Sequence, residues 1–222
     1  MRLRGLVVLL RIGVLASTRA TDMEAILEAI RNKRLNAEIV CLISNKKNAY
    51  ALERARRNDV EAIFIDPKGR DPVEYDMEVA VELERRKVDL VLLIGYNRIL
   101  SLQFVKKFRN RIMNIHPSLL PAFPGWDLNV HRAVLESGVK ITGCTLHFVD
   151  EKMDAGPIII QKAVEVREDD DEETLKRRVQ EAEGEVLVEG IRLFQEGRIM
   201  VEQGKTRILR EGETKPLPNH RD

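Results

Sequence analysis

The sequence predicts an α/β fold built on a mostly parallel central sheet with helices on both faces. Its first half alternates short apolar runs with segments of helical periodicity, the order that produces parallel strands joined by right-handed crossovers. The runs are apolar throughout, which is typical of strands buried on both faces. A chain of 222 residues, 44% of them hydrophobic and 33% charged, is long enough to bury a core of this kind.

We predict four strands in the first half, at residues 12–17, 37–44, 61–65 and 89–95. Two amphipathic helices lie between them, because apolar residues recur there at helical spacing. These residues are Met23, Ile26, Leu27 and Ile30 in the first segment, and Tyr75, Val79 and Leu83 in the second.

The second half has a different pattern. Residues 114–125 contain three prolines and a terminal glycine, and we predict them to be mostly irregular. Six elements are expected after them: a short helix at 129–137, strands at 139–149 and 158–166 that pair across a loop, a long helix at 174–194, and two terminal strands at 198–202 and 206–210. We therefore predict one domain over residues 12–210, an N-terminal extension at 1–11 and a polar, disordered tail at 211–222.

Composition argues against several classes of function. With 37 basic and 36 acidic residues, the net charge of +1 gives no global field to attract nucleic acid or an anionic membrane. No apolar stretch approaches the roughly 20 residues that span a bilayer. Cys41 and Cys144 lie in apolar runs without metal-ligand spacing, so we expect buried thiols and no metal.

The first residues have some features of a secretory signal, being basic and then apolar. Arg11 interrupts the apolar run, and the residues that follow it suit the first strand of the fold. We therefore predict a cytoplasmic protein that is not exported.

Polar residues mark a candidate site at three places, two of them at the ends of predicted strands and the third in an apolar segment. They are the segment Ser17–Asp22 (STRATD), the segment Tyr96–Arg98, and the pair Asn114 and His116. Ligands of open α/β sheets bind outside the carboxyl ends of the strands. We therefore expect these residues to surround a common ligand.

Asn114 and His116 are candidate catalytic residues. Residues two apart in an extended segment point to the same face, and an amide beside an imidazole suits acyl transfer, with one group steadying an oxyanion and the other moving a proton. A structural histidine–asparagine pair explains the pattern about equally well. Asp154, between two strands, is either a turn residue or a carboxylate that orients His116.

Other polar residues also have two explanations each. Thr21 or Asp22 can be a helix cap, while the helix N-terminus can bind an anion. Glu183 lies at the edge of a buried helical stripe, near Gln180, and needs either a salt bridge or a ligand hydroxyl or amine. His131 is left unassigned, and so is His147, for which packing in the core is the simpler explanation.

Several motifs together resemble the phosphoribosylglycinamide formyltransferase family. They are NIHPSLLPAFPG at 114–125, GVKITGCTLHFVDEKMDAGPIIIQ at 138–161, YNRILS at 96–101, SNKKNAYALERA at 44–55 and ETLKRRVQEAE at 173–183. The similarity covers most of the chain, from Ile12 through the long helix. It implies a Rossmann-like formyltransferase fold and a folate-dependent formyl transfer without a metal.

The resemblance also implies a reaction. The formyl group of 10-formyltetrahydrofolate would pass to the amine of glycinamide ribonucleotide in purine synthesis, with a homodimer as a possible assembly. Asn114 would hydrogen-bond the formyl oxygen, His116 would stabilise the oxyanion and assist proton transfer, and Asp154 would orient His116.

The resemblance implies binding residues as well. Arg98, Ile99, Leu100, Ile112, Val149 and Asp150 would surround the folate. Arg19, Ala20, Thr21, Asp22, Pro117, Gln180 and Glu183 would contact the nucleotide, with Gln180 and Glu183 at its ribose.

The STRATD segment departs from the family pattern. The family usually has a glycine-rich SGxGSN loop that binds the phosphate through backbone N–H groups, whereas here both glycines are absent and Asp22 replaces the asparagine. A carboxylate near a phosphate weakens binding, which Arg19 could offset. Another amine acceptor, or water as in formyltetrahydrofolate deformylase, therefore stays an alternative, as does a non-catalytic folate- or nucleotide-binding protein.

Overall fold

The computed structural model describes residues 9–125 and 129–214. The strands are β1 (Leu10–Leu15), β2 (Ala37–Ser44), β3 (Glu61–Phe64), β4 (Leu90–Leu93), β5 (Ile112–His116), β6 (Ile141–Phe148), β7 (Ile158–Glu165), β8 (Ile199–Glu202) and β9 (Lys205–Ile208). The helices are α1 (Met23–Arg31), α2 (Tyr50–Arg57), α3 (Pro72–Arg85), α4 (Leu102–Lys107), α5 (Val130–Ser137) and α6 (Glu172–Gln195).

Seven strands form the central sheet in the order β3-β2-β1-β4-β5-β6-β7. β1 to β5 are parallel, whereas β6 runs antiparallel to both β5 and β7. β8 and β9 form a separate antiparallel hairpin. The predicted mostly parallel α/β sheet is confirmed, and so is the pairing of the two strands that flank the 149–157 loop.

Helices cover both faces of the sheet, as predicted. α1, α2, α5 and α6 bury their apolar residues in one hydrophobic cluster, and α3 and α4 bury theirs in a second cluster on the opposite face. This two-sided burial accounts for the uniformly apolar strands. No helix in the described part of the chain is both long enough and apolar enough to cross a membrane.

Three elements were not predicted, and one strand starts earlier than expected. β1 begins at Leu10, inside the predicted extension, while residues 1–8 and 215–222 of the predicted extension and tail lie outside the described residues. α2 and α4 were missed because they are short. The prediction that residues 114–125 are mostly irregular was wrong at their start, where Asn114 to His116 complete β5.

The long helix α6 packs directly on β6 through a glycine. A Cβ atom added at Gly190 would lie 2.1 Å from Cδ2 of Leu146. Both residues are buried, so the contact has no free volume into which a methyl group could fit.

We expect Gly190→Ala to destabilise the protein by about 1–3 kcal/mol, because it overpacks this contact. Glu185→Ala is a suitable control, since Glu185 lies on the exposed face of the same helix and its partner is the surface residue Lys162. Urea denaturation measures both variants. Equal stability losses in the two would show that α6 and β6 are not in close contact.

Candidate active site

A cavity of about 270 Å³ opens at the carboxyl ends of β1, β4 and β5. Its walls come from three segments: residues 95–100 after β4, residues 114–117 at the end of β5, and residues 149–154 after β6. Of the catalytic and folate-binding residues predicted from the sequence, those that line the cavity are Asn114, His116, Asp154, Arg98, Ile99, Leu100, Val149 and Asp150. Pro117 and Thr18 also line it.

Asn114 and His116 reach this cavity because β5 holds them two residues apart in a strand. The sequence expectation that both side chains point the same way therefore holds, although the strand itself was not foreseen. Prolines begin at Pro117, so the polypeptide leaves the sheet directly after His116. The histidine thus ends the strand at the cavity wall.

Asp154 is fixed by backbone geometry. It adopts a left-handed conformation with φ of 51°, which aspartate tolerates better than most residues. Its Oδ2 accepts a hydrogen bond of 2.9 Å from the backbone N–H of Gly125. Gly156 lets the loop fold back on β6, because a Cβ at this position would lie 1.9 Å from the carbonyl oxygen of Phe148.

The Asp154 carboxylate faces two histidines. Oδ2 lies 3.6 Å from Nδ1 of His116, and Oδ1 lies 3.7 Å from Nε2 of His147. The side chains of His116, His147 and Asp154 are 6%, 2% and 10% exposed, so water screens the interaction weakly. Asp154 therefore lies beside His116, as the family resemblance implied.

His147 was missed as a site residue. Nδ1 lies 2.9 Å from the Phe148 carbonyl oxygen, which can only accept, so Nδ1 carries a proton. Nε2 then accepts from the Asn114 amide at 3.1 Å. Burial, the largest influence, lowers the pKa of His147 and favours this neutral form.

Only the strand register reveals the role of His147. Asn114 and His147 are directly opposite each other in the antiparallel pair of β5 and β6. The alternation of residues within β6 indicated a buried histidine, but no local pattern indicates which residue of another strand it meets. His147 therefore fixes one N–H of the Asn114 amide and leaves the second available.

His116 has the opposite arrangement of ring protons. Its Nε2 lies 2.8 Å from the carbonyl oxygen of Phe123, so this nitrogen donates. Nδ1 faces the Asp154 carboxylate and can take a second proton beside that negative charge. The site thus holds one histidine suited to proton transfer and one held neutral.

Ile112 is not in the cavity wall. It is fully buried in the core of the sheet, and its carbonyl oxygen accepts a 2.9 Å hydrogen bond from Val149 N–H. Its expected contact with folate is therefore not supported by side-chain geometry. Ile112 instead ties the segment after β6 to β5.

The STRATD segment keeps a glycine-like turn without glycine. Ala20 is buried, 2% exposed, and has φ of 46°, a conformation that glycine adopts without strain. Among the described residues, none accepts a hydrogen bond from the backbone N–H of residues 18–21. These donors lie at the start of α1, where a helix N-terminus favours anions.

Arg19 is exposed beside this turn and stacks over Tyr50, with its guanidinium carbon 5.5 Å from the ring centroid. Its carbonyl oxygen accepts from Arg54 Nε at 2.9 Å, and Arg54 pairs with Glu24. Within residues 9–125 and 129–214, no carboxylate lies within ion-pair distance of Arg19. Arg19, Ala20, Thr21 and Asp22 all lie outside the lining of the cavity.

Asp22 and Glu183 are acidic residues close enough to influence each other. Asp22 occupies the cap position of α1, but its side chain makes no capping hydrogen bond. Glu183 is 5% exposed and has no cationic partner among the described residues. Burial, followed by the charge of Asp22, raises the pKa of Glu183.

Burial also raises the pKa of Asp22 to about 6. The backbone of Asp22 itself and the nearby Arg54 act in the opposite direction, but they are weaker. Gln180, one helical turn before Glu183 on α6, is half-buried. The two carboxyl groups are therefore ready to share a proton or to bind a ligand that carries donors.

No group of three or more histidine, cysteine or acidic residues in the described ranges is arranged to hold a metal ion. The cysteines are buried, and burial raises the pKa of both thiols to about 12. Neither thiol is therefore activated as a nucleophile.

Residues 10–191 match the formyl transferase family, and the chain therefore belongs to that family.

Within this family, the chain is similar to phosphoribosylglycinamide formyltransferases. It is 36% identical to the enzyme of that name from Escherichia coli (strain K12) over 195 residues, which are 87% of this chain and 91% of that protein. The solved structure of glycinamide ribonucleotide transformylase 1 from Symbiobacterium toebii superposes with a TM-score of 0.87 at 46% identity, covering 91% of this chain and 95% of that one. The resemblance and the fold predicted from the sequence are confirmed.

A larger relative is the trifunctional purine biosynthetic protein adenosine-3 from Gallus gallus. The two are 44% identical over 197 residues, which are 88% of this chain. This chain spans only 19% of the length of that protein.

We expect Ala20→Val to destabilise the protein by about 1–3 kcal/mol, because a β-branched residue is strained at positive φ. Ala20→Gly is the matched control. It relieves backbone strain but loses a buried methyl group and adds unfolded-state entropy, so we expect a change within about 1 kcal/mol. Urea denaturation measures both. A Val variant as stable as the wild type would show that residue 20 does not hold the left-handed turn.

We expect Asp22→Asn to stabilise the protein at pH 8 and to change it little at pH 4. Burial raises the pKa of Asp22 to about 6 in the folded chain, above the 3.8 of an unperturbed aspartate, so the folded state binds the proton more tightly than the unfolded state does. Its favourable contribution is present below the unfolded pKa and is lost as pH rises through the folded pKa. The gain at pH 8 should be roughly 1–3 kcal/mol.

Chemical denaturation at both pH values measures this effect. Glu24→Gln is the control, since Glu24 lies on the same helix and pairs with Arg54 at 2.6 Å. We expect no stabilisation in that variant. A loss of stability in Asp22→Asn at pH 8 would mean that the Asp22 charge is stabilising.

Proposed function

We propose that this chain transfers the formyl group of 10-formyltetrahydrofolate to the amine of glycinamide ribonucleotide, a step of de novo purine synthesis. The observation that carries the proposal is the convergence of Asn114, His116 and Asp154 on one cavity in a member of the formyl transferase family. The chain is an enzyme of the one-carbon transferase class, and we expect it to act in the cytoplasm. A homodimer is a separate proposal, which light scattering tests.

The chemistry requires a tetrahedral intermediate. The acceptor nitrogen forms a bond to the formyl carbon, and the carbonyl oxygen becomes an oxyanion. The bond from that carbon to N10 of the folate then breaks, N10 takes a proton, and the acceptor nitrogen loses one. The enzyme therefore has to stabilise one negative charge and move one proton.

Asn114 is suited to stabilise the negative charge of the oxyanion. One amide N–H is used by His147, at 3.1 Å, and this contact orients the second N–H. A donor held in place before the reaction stabilises an oxyanion without the cost of reorganisation. His116, when protonated between the Phe123 carbonyl and the Asp154 carboxylate, would add a positive charge to the same cavity.

Asp154 is suited to balance the positive charge of a protonated His116 and to orient its ring. It is acceptor-only when ionised, and Gly125 N–H holds Oδ2 in place. An imidazolium formed during proton transfer would face this carboxylate across 3.6 Å. A water molecule between acceptor amine and Asp154 or His116 would complete the proton path.

The folate donor would bind between the walls of the cavity. Arg98, Ile99 and Leu100 lie on one side, and Val149 and Asp150 lie on the other. Ile99 and Met153 also line the cavity and are 67% and 53% exposed, so they offer apolar surface to an aromatic ligand. We assign no metal to the reaction.

The acceptor would lie between the STRATD turn and α6. The backbone N–H groups of residues 18–21 and the guanidinium of Arg19 are donors suited to its phosphate. Glu183 and Gln180 would take the ribose hydroxyls. This assignment gives the buried carboxylate of Glu183 the donors that the described residues do not supply.

Formyl transfer from 10-formyltetrahydrofolate to glycinamide ribonucleotide tests the proposal, with a reaction lacking the acceptor to detect hydrolysis. We expect transfer by the wild type and a loss on the order of 10²–10⁴-fold in His116→Ala, because proton transfer and oxyanion stabilisation are both impaired. His131→Asn is the matched control, since His131 does not line the cavity, and we expect it to keep activity.

Other outcomes would contradict the proposal. Hydrolysis without transfer would indicate a deformylase. Folate binding with neither reaction would point to another amine acceptor or to a binding protein. Full activity in His116→Ala would remove His116 from the mechanism.

A further inference from the structure

The loop formed by residues 96–101, here called the donor loop, connects β4 to α4 and supplies one wall of the cavity. Its shape has to be maintained by residues that do not line the cavity. One such residue is Asp76, which lies on α3 and is 1% exposed. A carboxylate buried to this extent is costly unless it is well compensated.

Asp76 holds the end of the donor loop through a short hydrogen bond. Its Oδ2 accepts from the backbone N–H of Ser101 at 2.6 Å. The Ser101 hydroxyl in turn accepts from Phe104 N–H and caps α4. The carboxylate therefore fixes the point where the donor loop becomes helix.

The second oxygen of Asp76 faces the middle of the donor loop. Nη2 of Arg98 lies 3.9 Å from Oδ1, which has no hydrogen-bond partner in the described chain. Nε of Arg98 is likewise buried without a partner among those residues. The guanidinium stacks over the ring of Tyr75, the residue before Asp76, with its carbon 4.3 Å from the centroid.

These contacts run from α3 to the donor loop. Burial raises the pKa of Asp76, while the hydrogen bonds from Ser101 and the charge of Arg98 act in the opposite direction. Asp76 thus depends on the donor loop for its compensation, and the donor loop depends on Asp76 for two of its attachments. A residue that only stabilised α3 would make its contacts within that helix, whereas Asp76 contacts both Arg98 and Ser101 of the donor loop.

We propose that Asp76 is a positioning residue for the formyl donor, because it holds Arg98 and Ser101 and so keeps the donor loop in the shape that binds folate. This inference rests on the proposed function for the identity of the donor. Asp76 acts through the loop and does not contact the reacting atoms.

The test compares Asp76→Ala and Asp76→Asn in the full chain. Asp76→Ala removes both attachments, and we expect the KM for 10-formyltetrahydrofolate to rise roughly tenfold or more. Asp76→Asn can still accept from Ser101 but loses its charge towards Arg98, so we expect an intermediate rise. We expect kcat and the KM for glycinamide ribonucleotide to stay within about threefold, because the catalytic residues are unaffected.

Asp71→Asn is the matched control. Asp71 lies at the start of the same helix, where it caps α3 by accepting from Val73 and Glu74 N–H, and the charge change is identical. We expect unchanged kinetics in this variant. A rise in donor KM in Asp71→Asn equal to that in Asp76→Asn would overturn the proposal.

Tetrahydrofolate binding by equilibrium dialysis separates this proposal from the proposed function. A weaker Kd in Asp76→Ala, with wild-type binding intact, supports the positioning role even if the wild type transfers no formyl group to the chosen acceptor. Wild-type protein that binds no tetrahydrofolate would overturn both. Equal donor affinity in wild type and both Asp76 variants, or equal KM increases for both substrates, would overturn the positioning role alone.

Asp76→Asn also keeps the test decisive if Asp76→Ala fails to fold. Hydrogen exchange of the Ser101 amide gives a readout in the absence of any ligand, and we expect faster exchange in Asp76→Ala than in Asp71→Asn. If Asp76→Ala does not fold, the comparison of donor Kd between Asp76→Asn and Asp71→Asn decides the question. Equal Kd values in that pair would overturn the proposal.

Discussion

The candidate active site depends on where one carboxylate, that of Asp154, is held. Its backbone lies in a left-handed turn with φ of 51°, and Gly125 N–H binds one of its oxygens. From this position it faces His116 and His147 at 3.6 and 3.7 Å. A shift of the loop by one residue would remove the negative charge from both imidazoles.

The two histidines differ because their backbone partners differ. The Phe148 carbonyl fixes the proton of His147 on Nδ1, whereas the Phe123 carbonyl fixes the proton of His116 on Nε2. Nε2 of His147 therefore accepts a hydrogen bond from the Asn114 amide, and Nδ1 of His116 faces the Asp154 carboxylate. The same carboxylate thus faces a histidine that orients the amide and a histidine that can take a proton.

Much of the fold was predictable because parallel strands that are buried on both faces have continuous apolar sequences. The predicted strand at 37–44 and the pair flanking the Asp154 loop are present, and the polar residues after β4 and at the end of β5 do meet at one cavity. β5 was not predicted, because the prolines from Pro117 onward obscure a strand of only five residues. Short strands and helices carry too few residues for periodicity to identify them.

The site was predictable to the extent that its residues lie near one another along the chain or match a family motif. His147 and Asp76 were missed because their partners lie 33 and 25 residues away, at Asn114 and Ser101. Glu183 was recognised as a carboxylate at the edge of a buried stripe, with a salt bridge or a ligand as its expected partner, but its interaction with Asp22 was not predicted. Such pairings depend on strand register and helix packing, which a local pattern does not contain.

Nitrogen-15 NMR of the imidazole rings in the full chain tests the central claim, that Asp154 faces one histidine held neutral and one free to gain a proton. The structure predicts that the single proton of neutral His147 lies on Nδ1, and that His147 gains a second proton only at a lower pH than an unperturbed histidine does. It also predicts that neutral His116 carries its proton on Nε2. A His147 that gains its second proton at the pH of an unperturbed histidine or above it, or that carries its single proton on Nε2, would contradict the division of roles between the two histidines.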